Sequence, residues 1–351
     1  MLRDVEGLLN LHNVKEIPLY ERLSEEKVRC GVCERKCVVF LGEVGFCKTR
    51  INIGGRLYTL VYGDISSLSV NPIEKKPFFH FYPGSRAFTV GTWSCNLTCH
   101  WCQNWDISKS PPEPFKANYL SPEAMVSAAV RERCHGLSIS FNEPTMLFEY
   151  SLDLFPKARQ KGLYNTYVSN GYMTVEVLRM LQTAGMDAIK FDVKGNAEAV
   201  KRYCGIDVEK VWRNVGEAKK LGLHVEVVVL VILGVNDDDD TLQGITQRHL
   251  ERAGPDTALH FTRFYPAYEM VDRPSTPIET LEKAYRIARA EGLNYVYLGN
   301  VTGHRLENTY CPRCGELLIE RYGLSVVKNR VKPSGCCPAC GLAVPIQRKM
   351  S

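Results

Sequence analysis

The sequence has no long hydrophobic run: its longest unbroken aliphatic stretch, Val227 to Leu233, is seven residues, well short of the roughly 18 to 20 that a bilayer-spanning helix needs. A membrane-spanning segment is not expected. A basic-then-apolar leader is also missing, because Asp4 and Glu6 interrupt MLRDVEGLLN, and the expected compartment is the cytoplasm. There is no internal repeat and no low-complexity tract. No G-x-G-x-x-G follows the first apolar β-branched run, which argues against an open dinucleotide-binding sheet. Charge of one sign is scarce as well. The net +5 comes from residues 301–351, where eight Lys or Arg face three Asp or Glu, while the remaining 300 residues balance at 36 each. A basic module of that size reads as a solvated face, so nucleic acid is not an expected partner.

What the chain has in excess is cysteine. Fourteen in 351 residues do not form the pattern of a short secreted disulfide scaffold. Twelve fall into three tight groups, which in a reducing compartment means metal. Cys134 and Cys204 stand alone in helix-like stretches and read as small core residues.

Between the outer groups, short apolar β-branched runs alternate with amphipathic stretches, the pattern of βα units on a parallel sheet. Strands are expected near residues 87–93, 136–141, 163–168, 187–193, 223–233, 258–264 and 294–299. Ser121 and Thr174 read as helix caps, and Thr276 to Glu279 as a capping box. Six βα units and a final strand predict an α/β fold, a partial or full parallel (β/α)6-type barrel, with chemistry on loops at the C-terminal strand ends. The expected division is an N-terminal four-cysteine region over 1–85, the barrel over 86–304 and a C-terminal zinc ribbon over 305–351.

The middle group, Cys95, Cys99 and Cys102, has C-x3-C-x2-C spacing directly after the first barrel strand. Three thiolates on one compact loop suit an inorganic cluster with one iron left open, since Fe–S clusters are generally held by four cysteines. A structural zinc would need His100 as its fourth ligand, from a poor position between Cys99 and Cys102. The N-terminal group, Cys30, Cys33, Cys37 and Cys47, is a closed four-thiolate set. It accepts zinc or a 4Fe–4S cluster, with zinc preferred because no electron-relay role is readable. The C-terminal group has two matching C-P-x-C-G knuckles, Cys311/Cys314 and Cys337/Cys340, separated by 22 residues. These predict a zinc ribbon with Cys336 redundant or a substitute ligand.

With Trp101 in the aromatic slot of C-x3-C-x-aromatic-C, the middle loop resembles the signature of the radical S-adenosylmethionine (SAM) superfamily. The resemblance implies a 4Fe–4S cluster whose open iron chelates SAM and whose electron cleaves it to methionine and a 5′-deoxyadenosyl radical. It further implies cofactor contacts at later strand ends. Asn142 and Glu143 stand in a Gly-Gly-Glu-Pro-like element, with Phe141-Asn142 in place of the glycines; a helix cap is the plainer reading. Ser169 and Asn170 lie in an SNG-type turn, Asp192 and Lys194 in a D-x-K element, and Val235 in a turn near the adenine. Asp238 to Asp240 read instead as an acidic helix cap.

Over nearly the whole chain, Asn71-Pro72-Ile73-Glu74-Lys75-Lys76-Pro77, Gln103-Asn104-Trp105, His260-Phe261-Thr262-Arg263-Phe264 and Tyr297-Leu298-Gly299-Asn300-Val301 resemble the AmmeMemoRadiSam-system radical SAM enzymes, similar to pyruvate formate-lyase activating enzymes. This implies hydrogen abstraction from a protein, peptide or small-molecule substrate and an electron donor such as ferredoxin or flavodoxin. It also implies Amme-type and Memo-type proteins as partners. The alternative is a non-catalytic Fe–S and zinc adaptor or sensor. His80, Asn104, His260, Arg263, Tyr265 and His304 are candidates to line the barrel mouth, each with an equally good structural reading.

Overall fold

The computed structural model describes residues 5–348. By compactness the chain forms two units, residues 1–70 with 87–187, and residues 71–86 with 188–351. Among the described residues no helix is long and apolar enough to cross a membrane.

In the first unit, parallel strands β1 (Arg86–Gly91), β2 (Gly136–Ile139) and β3 (Tyr164–Ser169) pair in sequence order, with Ala87 and Tyr164 both opposite Gly136. Helices α1 (Pro122–Arg131), α2 (Phe148–Gln160) and α3 (Val175–Ala184) connect and follow them. Ser121 and Thr174 cap α1 and α3 by accepting from the amides of Ala124 and Val177, as their sequence positions predict. Upstream, two antiparallel three-stranded sheets are built from residues 15–16, 56–59 and 50–53 and from residues 20–22, 27–30 and 38–40.

In the second unit, β4 (Ala188–Asp192), β5 (His224–Val231), β6 (Leu259–Arg263) and β7 (Val296–Gly299) are again parallel and in order. β5 reads His-Val-Glu-Val-Val-Val-Leu-Val and is buried along almost its whole length, the continuous apolar run of a strand covered on both faces. Helices α4 (Ala197–Cys204), α5 (Val208–Lys220), α6 (Asp239–Ala253) and α7 (Ile278–Ala290) fill the connections. Asp238 caps α6 through the Thr241 amide at 2.8 Å. The capping box expected at Thr276 does not form. The Thr276 hydroxyl donates to Val231 O at 2.6 Å and accepts from the Phe264 amide, so it is spent tying strand ends together.

All seven expected strands are present and the fold is α/β. Cys134 and Cys204 are buried core residues. The last module has antiparallel strands at 309–310, 317–322 and 325–329 over a small core of Leu318, Ile319, Val331, Val344 and Ile346.

Candidate cluster loop and metal sites

The three-cysteine loop is rigid because its backbone is bonded from several sides within the first unit. Asn142 accepts from the Thr92 amide at 3.1 Å and donates to Ser94 O at 2.6 Å. Asn170 donates to Asn96 Oδ1 at 2.8 Å and lies 3.8 Å from the Cys95 sulfur. Lys109 donates to Leu97 O and Arg35 to Asn96 O. Cys99 and Trp101 are buried, Cys95 and Cys102 partly so. Burial, then the nearby Glu143 carboxylate, pushes the Cys95 thiol up, so without a metal this thiol stays protonated.

Glu143 is 1% exposed and takes the cap role. One carboxylate oxygen accepts from the Thr145 amide, the Thr145 hydroxyl and the Ser169 hydroxyl, and the other from the Asn170 amide at 2.8 Å. It clasps the end of β2 to the turn after β3, with burial the main influence raising its pKa. Phe141 just before it has φ +68°, the left-handed conformation that favours the glycine of the resembled pattern. Asn104 holds that strained residue by donating to Phe141 O at 2.6 Å. Asn104 is thereby a brace of this turn rather than a free lining group.

In the second unit, Asp192 sits between two lysines. It pairs with Lys190, and Lys194 Nζ lies 3.6 Å from Oδ2. Burial works to raise its pKa, but the two ammonium groups outweigh it and hold the carboxyl below its usual range. Lys190 escaped the sequence reading, although period-two alternation in Lys-Phe-Asp-Val-Lys places all three on one strand face. Val235 is half-buried in the turn after β5. The neighbouring Asn236 is fully buried and locks that turn, accepting from Ile232 N and donating to Leu230 O and Lys194 O.

His80 and His260 do not line a mouth. Both are 1% exposed and lie near the starts of strands, where His260 donates to Glu226 at 2.7 Å and His80 bonds the Tyr297 hydroxyl at 2.6 Å. Sequence reasoning placed them by residue type; their position at strand beginnings puts them away from the loops at the C-terminal strand ends. His304 caps a 3-10 turn through the Leu306 amide and pairs with Glu282. Arg263 donates to Thr276 O, and Tyr265, half-exposed, donates to Asn300 O.

Among the described residues, one set of ligand atoms converges within 4.8 Å, the sulfurs of Cys311, Cys314, Cys337 and Cys340. Cys311 lies 3.5 Å from Cys340, and Cys314 3.7 Å from Cys337. The two knuckles match in detail. Gly315 N donates to Cys311 O and Gly341 N to Cys337 O, with φ of +74° and +71°, which requires glycine at each turn. Cys336 lies outside the set and faces Ser334 O, so it is redundant. Cys30, Cys33, Cys37 and Cys47 line a single cavity without converging to that spacing.

Comparison with known proteins places this geometry. Residues 90–243 match the Radical SAM superfamily model. The uncharacterized protein MJ0808 of Methanocaldococcus jannaschii is 44% identical over 334 residues, covering 95% of this chain and 99% of that one. The chain belongs to the radical SAM superfamily. GTP 3′,8-cyclase of Aliarcobacter butzleri is 28% identical over 157 residues, 41% of this chain and 46% of that protein. A radical SAM methyltransferase structure from Sphaerobacter thermophilus has a TM-score of 0.49 at 13% identity, covering 87% of this chain and 83% of that one.

The superfamily's 4Fe–4S cluster fits the loop. Cys95, Cys99 and Cys102 offer three thiolates that do not close to single-ion spacing, and no histidine or carboxylate joins them in a tight set among the described residues. A zinc ion would require such convergence; a cuboidal cluster does not.

Proposed function

We propose that Cys95, Cys99 and Cys102 hold a 4Fe–4S cluster at which SAM is reductively cleaved, and that the resulting radical abstracts hydrogen from a protein, peptide or small-molecule substrate in the manner of an activating enzyme. The bound cluster and SAM supply the reducing electron and the 5′-deoxyadenosyl radical. The chain's own residues position and shield that chemistry. Asn142, Asn170 and Asn96 fix the thiolate loop, and Glu143 joins the β2 and β3 ends. By the resemblance, the Asp192 carboxylate, kept ionised by Lys190 and Lys194, would accept from cofactor hydroxyl groups, and Lys194 would pair with a cofactor carboxylate. By the same resemblance, Val235 would lie near the adenine.

The observation that carries this reading is the bracing of a three-cysteine loop by side chains from the next two strand ends, inside a chain of this superfamily. The resemblance to AmmeMemoRadiSam-system enzymes supports Amme-type and Memo-type partners, a ferredoxin or flavodoxin donor and a cytoplasmic setting as part of this proposal. In the ribbon, sulfur separations of 3.5 and 3.7 Å match the roughly 3.8 Å edge of a tetrahedron with Zn–S bonds of about 2.3 Å. That spacing and the repeated C-P-x-C-G knuckles support zinc as the ribbon metal.

Anaerobic protein loaded with iron and sulfide, then given dithionite and SAM, is expected to release 5′-deoxyadenosine and methionine. Cys99→Ala is expected to release neither. A fully loaded cluster that yields no nucleoside would overturn the enzyme reading in favour of an adaptor or sensor.

A further inference from the structure

We infer that Cys30, Cys33, Cys37 and Cys47 bind a second iron–sulfur cluster of the 4Fe–4S type rather than a zinc ion. The inference is independent of SAM cleavage and concerns four cysteines that lie outside the superfamily match at residues 90–243.

The four cysteines belong to one folded loop. The Cys30 amide donates to Cys37 O at 2.9 Å and the Lys36 amide to Cys33 O at 3.0 Å, which brings the first three cysteines around a turn. The Gly45 amide donates to Arg50 O at 2.9 Å, which holds the segment leading to Cys47 against this turn. All four residues then line one cavity, with Val39, Phe46 and Met146 among its apolar walls.

Sulfur spacing decides between the metals. The ribbon shows in this same chain what a single-ion tetrathiolate looks like, with sulfurs at 3.5 and 3.7 Å. No three of the N-terminal sulfurs come within 4.8 Å of one another, although the loop around them is hydrogen-bonded throughout. Four thiolates facing a cavity from further apart suit an inorganic core that fills the space between them. The sequence preference for zinc is reversed by this geometry.

A second observation points the same way. Arg50 lines the cavity and is 2% exposed. Its terminal nitrogens are occupied by Glu149, at 2.8 and 2.9 Å, and by Thr49 Oγ1, Thr145 O and Met146 O. Its Nε is buried with no hydrogen-bond partner. A buried, unpaired charged donor costs free energy unless an acceptor arrives. A cluster with four thiolates is anionic and carries sulfide acceptors, and N–H donors to such sulfurs are an established influence on its potential. A zinc ion at the centre of a closed tetrahedron brings no acceptor beyond the thiolates themselves.

Asn96 places this site beside the first cluster. It lines the same cavity, its side chain interacts with the Cys33 sulfur, and its Oδ1 is 3.8 Å from the Cys95 sulfur. One residue thus stands between the two thiolate sets.

The test uses the full-length protein with Cys95→Ala, Cys99→Ala and Cys102→Ala combined, loaded anaerobically with ferrous iron and sulfide and desalted. Metal content, acid-labile sulfide and Mössbauer spectra are then read. The expected result is about four irons and about four sulfides per chain with a 4Fe–4S spectrum, alongside zinc in the ribbon. Adding Cys33→Ser and Cys47→Ser is expected to remove the iron and sulfide while the ribbon zinc stays, showing that the chain is still folded there. Zinc in the N-terminal site of the triple variant, absence of sulfide, or iron that survives the added serines would each overturn the inference. Because the triple variant lacks the SAM cluster, none of these outcomes depends on SAM cleavage.

Discussion

At the scale of single residues, the cluster loop depends on side-chain amides. Asn142 is half-buried and spends both its functional atoms on the backbone just before Cys95, accepting from Thr92 N and donating to Ser94 O. Asn142→Ala leaves that donor and acceptor without partners at a site where water has little access, a cost of about 2 kcal/mol. The expected outcome is a lower denaturant midpoint and weaker retention of iron on the Cys95 loop through gel filtration, with all three thiols still present. Wild-type iron retention would show that the cysteines alone order the loop. The identity of these amides was only partly legible. Asn142 and Asn170 were visible through motif resemblance, whereas Arg35 and Lys109 reach the loop carbonyls of Asn96 and Leu97 only through the folded chain.

At the scale of elements, the segment 71–86 is fastened to the beginnings of β5, β6 and β7 by one carboxylate. Glu226 accepts from the amides of Phe79 and His80 and from the rings of His224 and His260. Arg321 donates to Phe79 O, and His80 continues to Tyr297 and Thr309. Burial holds His80 down to about 3 and His249 to about 4, and His260 is lowered as well. Glu226 is driven well below its usual value because its histidine partners outweigh the burial cost.

The sign follows directly. A histidine whose folded pKa is depressed contributes stability that is present above its unfolded value, near 6.5, and is lost as pH falls through the window toward the folded value. Between pH 6.5 and 5 the unfolded chain takes up protons that the folded chain refuses. Unfolding free energy is expected to fall by on the order of 1 kcal/mol per pH unit for each of His80 and His249 at the acid end of that window, with His260 adding in the same direction, and the denaturant midpoint falls with it. A flat urea midpoint from pH 7 to 5 would contradict a buried neutral network.

The same elements show what the sequence could and could not tell. Seven strands were legible because β-branched runs such as Val227 to Val231 have one stable use in a protein of this composition. The use of Thr276 was not, since its hydroxyl serves partners at Val231 and Phe264 that are distant in sequence. His80 and His260 looked like site residues because spacing reveals residue type but not which end of a strand a neighbouring segment covers.

At the scale of the whole molecule, the fold is combined with three cysteine groups, and the sequence separated them by position better than by metal. The C-terminal group was legible to its ligand set because two repeated C-P-x-C-G knuckles specify their own turns. The N-terminal group was legible to its four cysteines but not to its metal, because sulfur spacing and the stranded Nε of Arg50 are properties of the folded chain. The ribbon has few apolar residues of its own, chiefly Leu318, Ile319, Val331, Val344 and Ile346, packed around Cys311 and Cys337. A core that small does not offset the conformational entropy of ordering about forty residues, so the four-thiolate metal must supply the difference. Removing the ribbon metal with a strong chelator under reducing conditions is therefore expected to bring amide exchange across residues 311–346 close to that of an unfolded chain. The buried strand β5, in the same unit but inside a core of its own, is expected to keep its protection. Ribbon amides that stay protected after complete metal loss would mean that the apolar core and the Arg321 bonds to Glu307, Thr309 and Phe79 suffice to hold the module together.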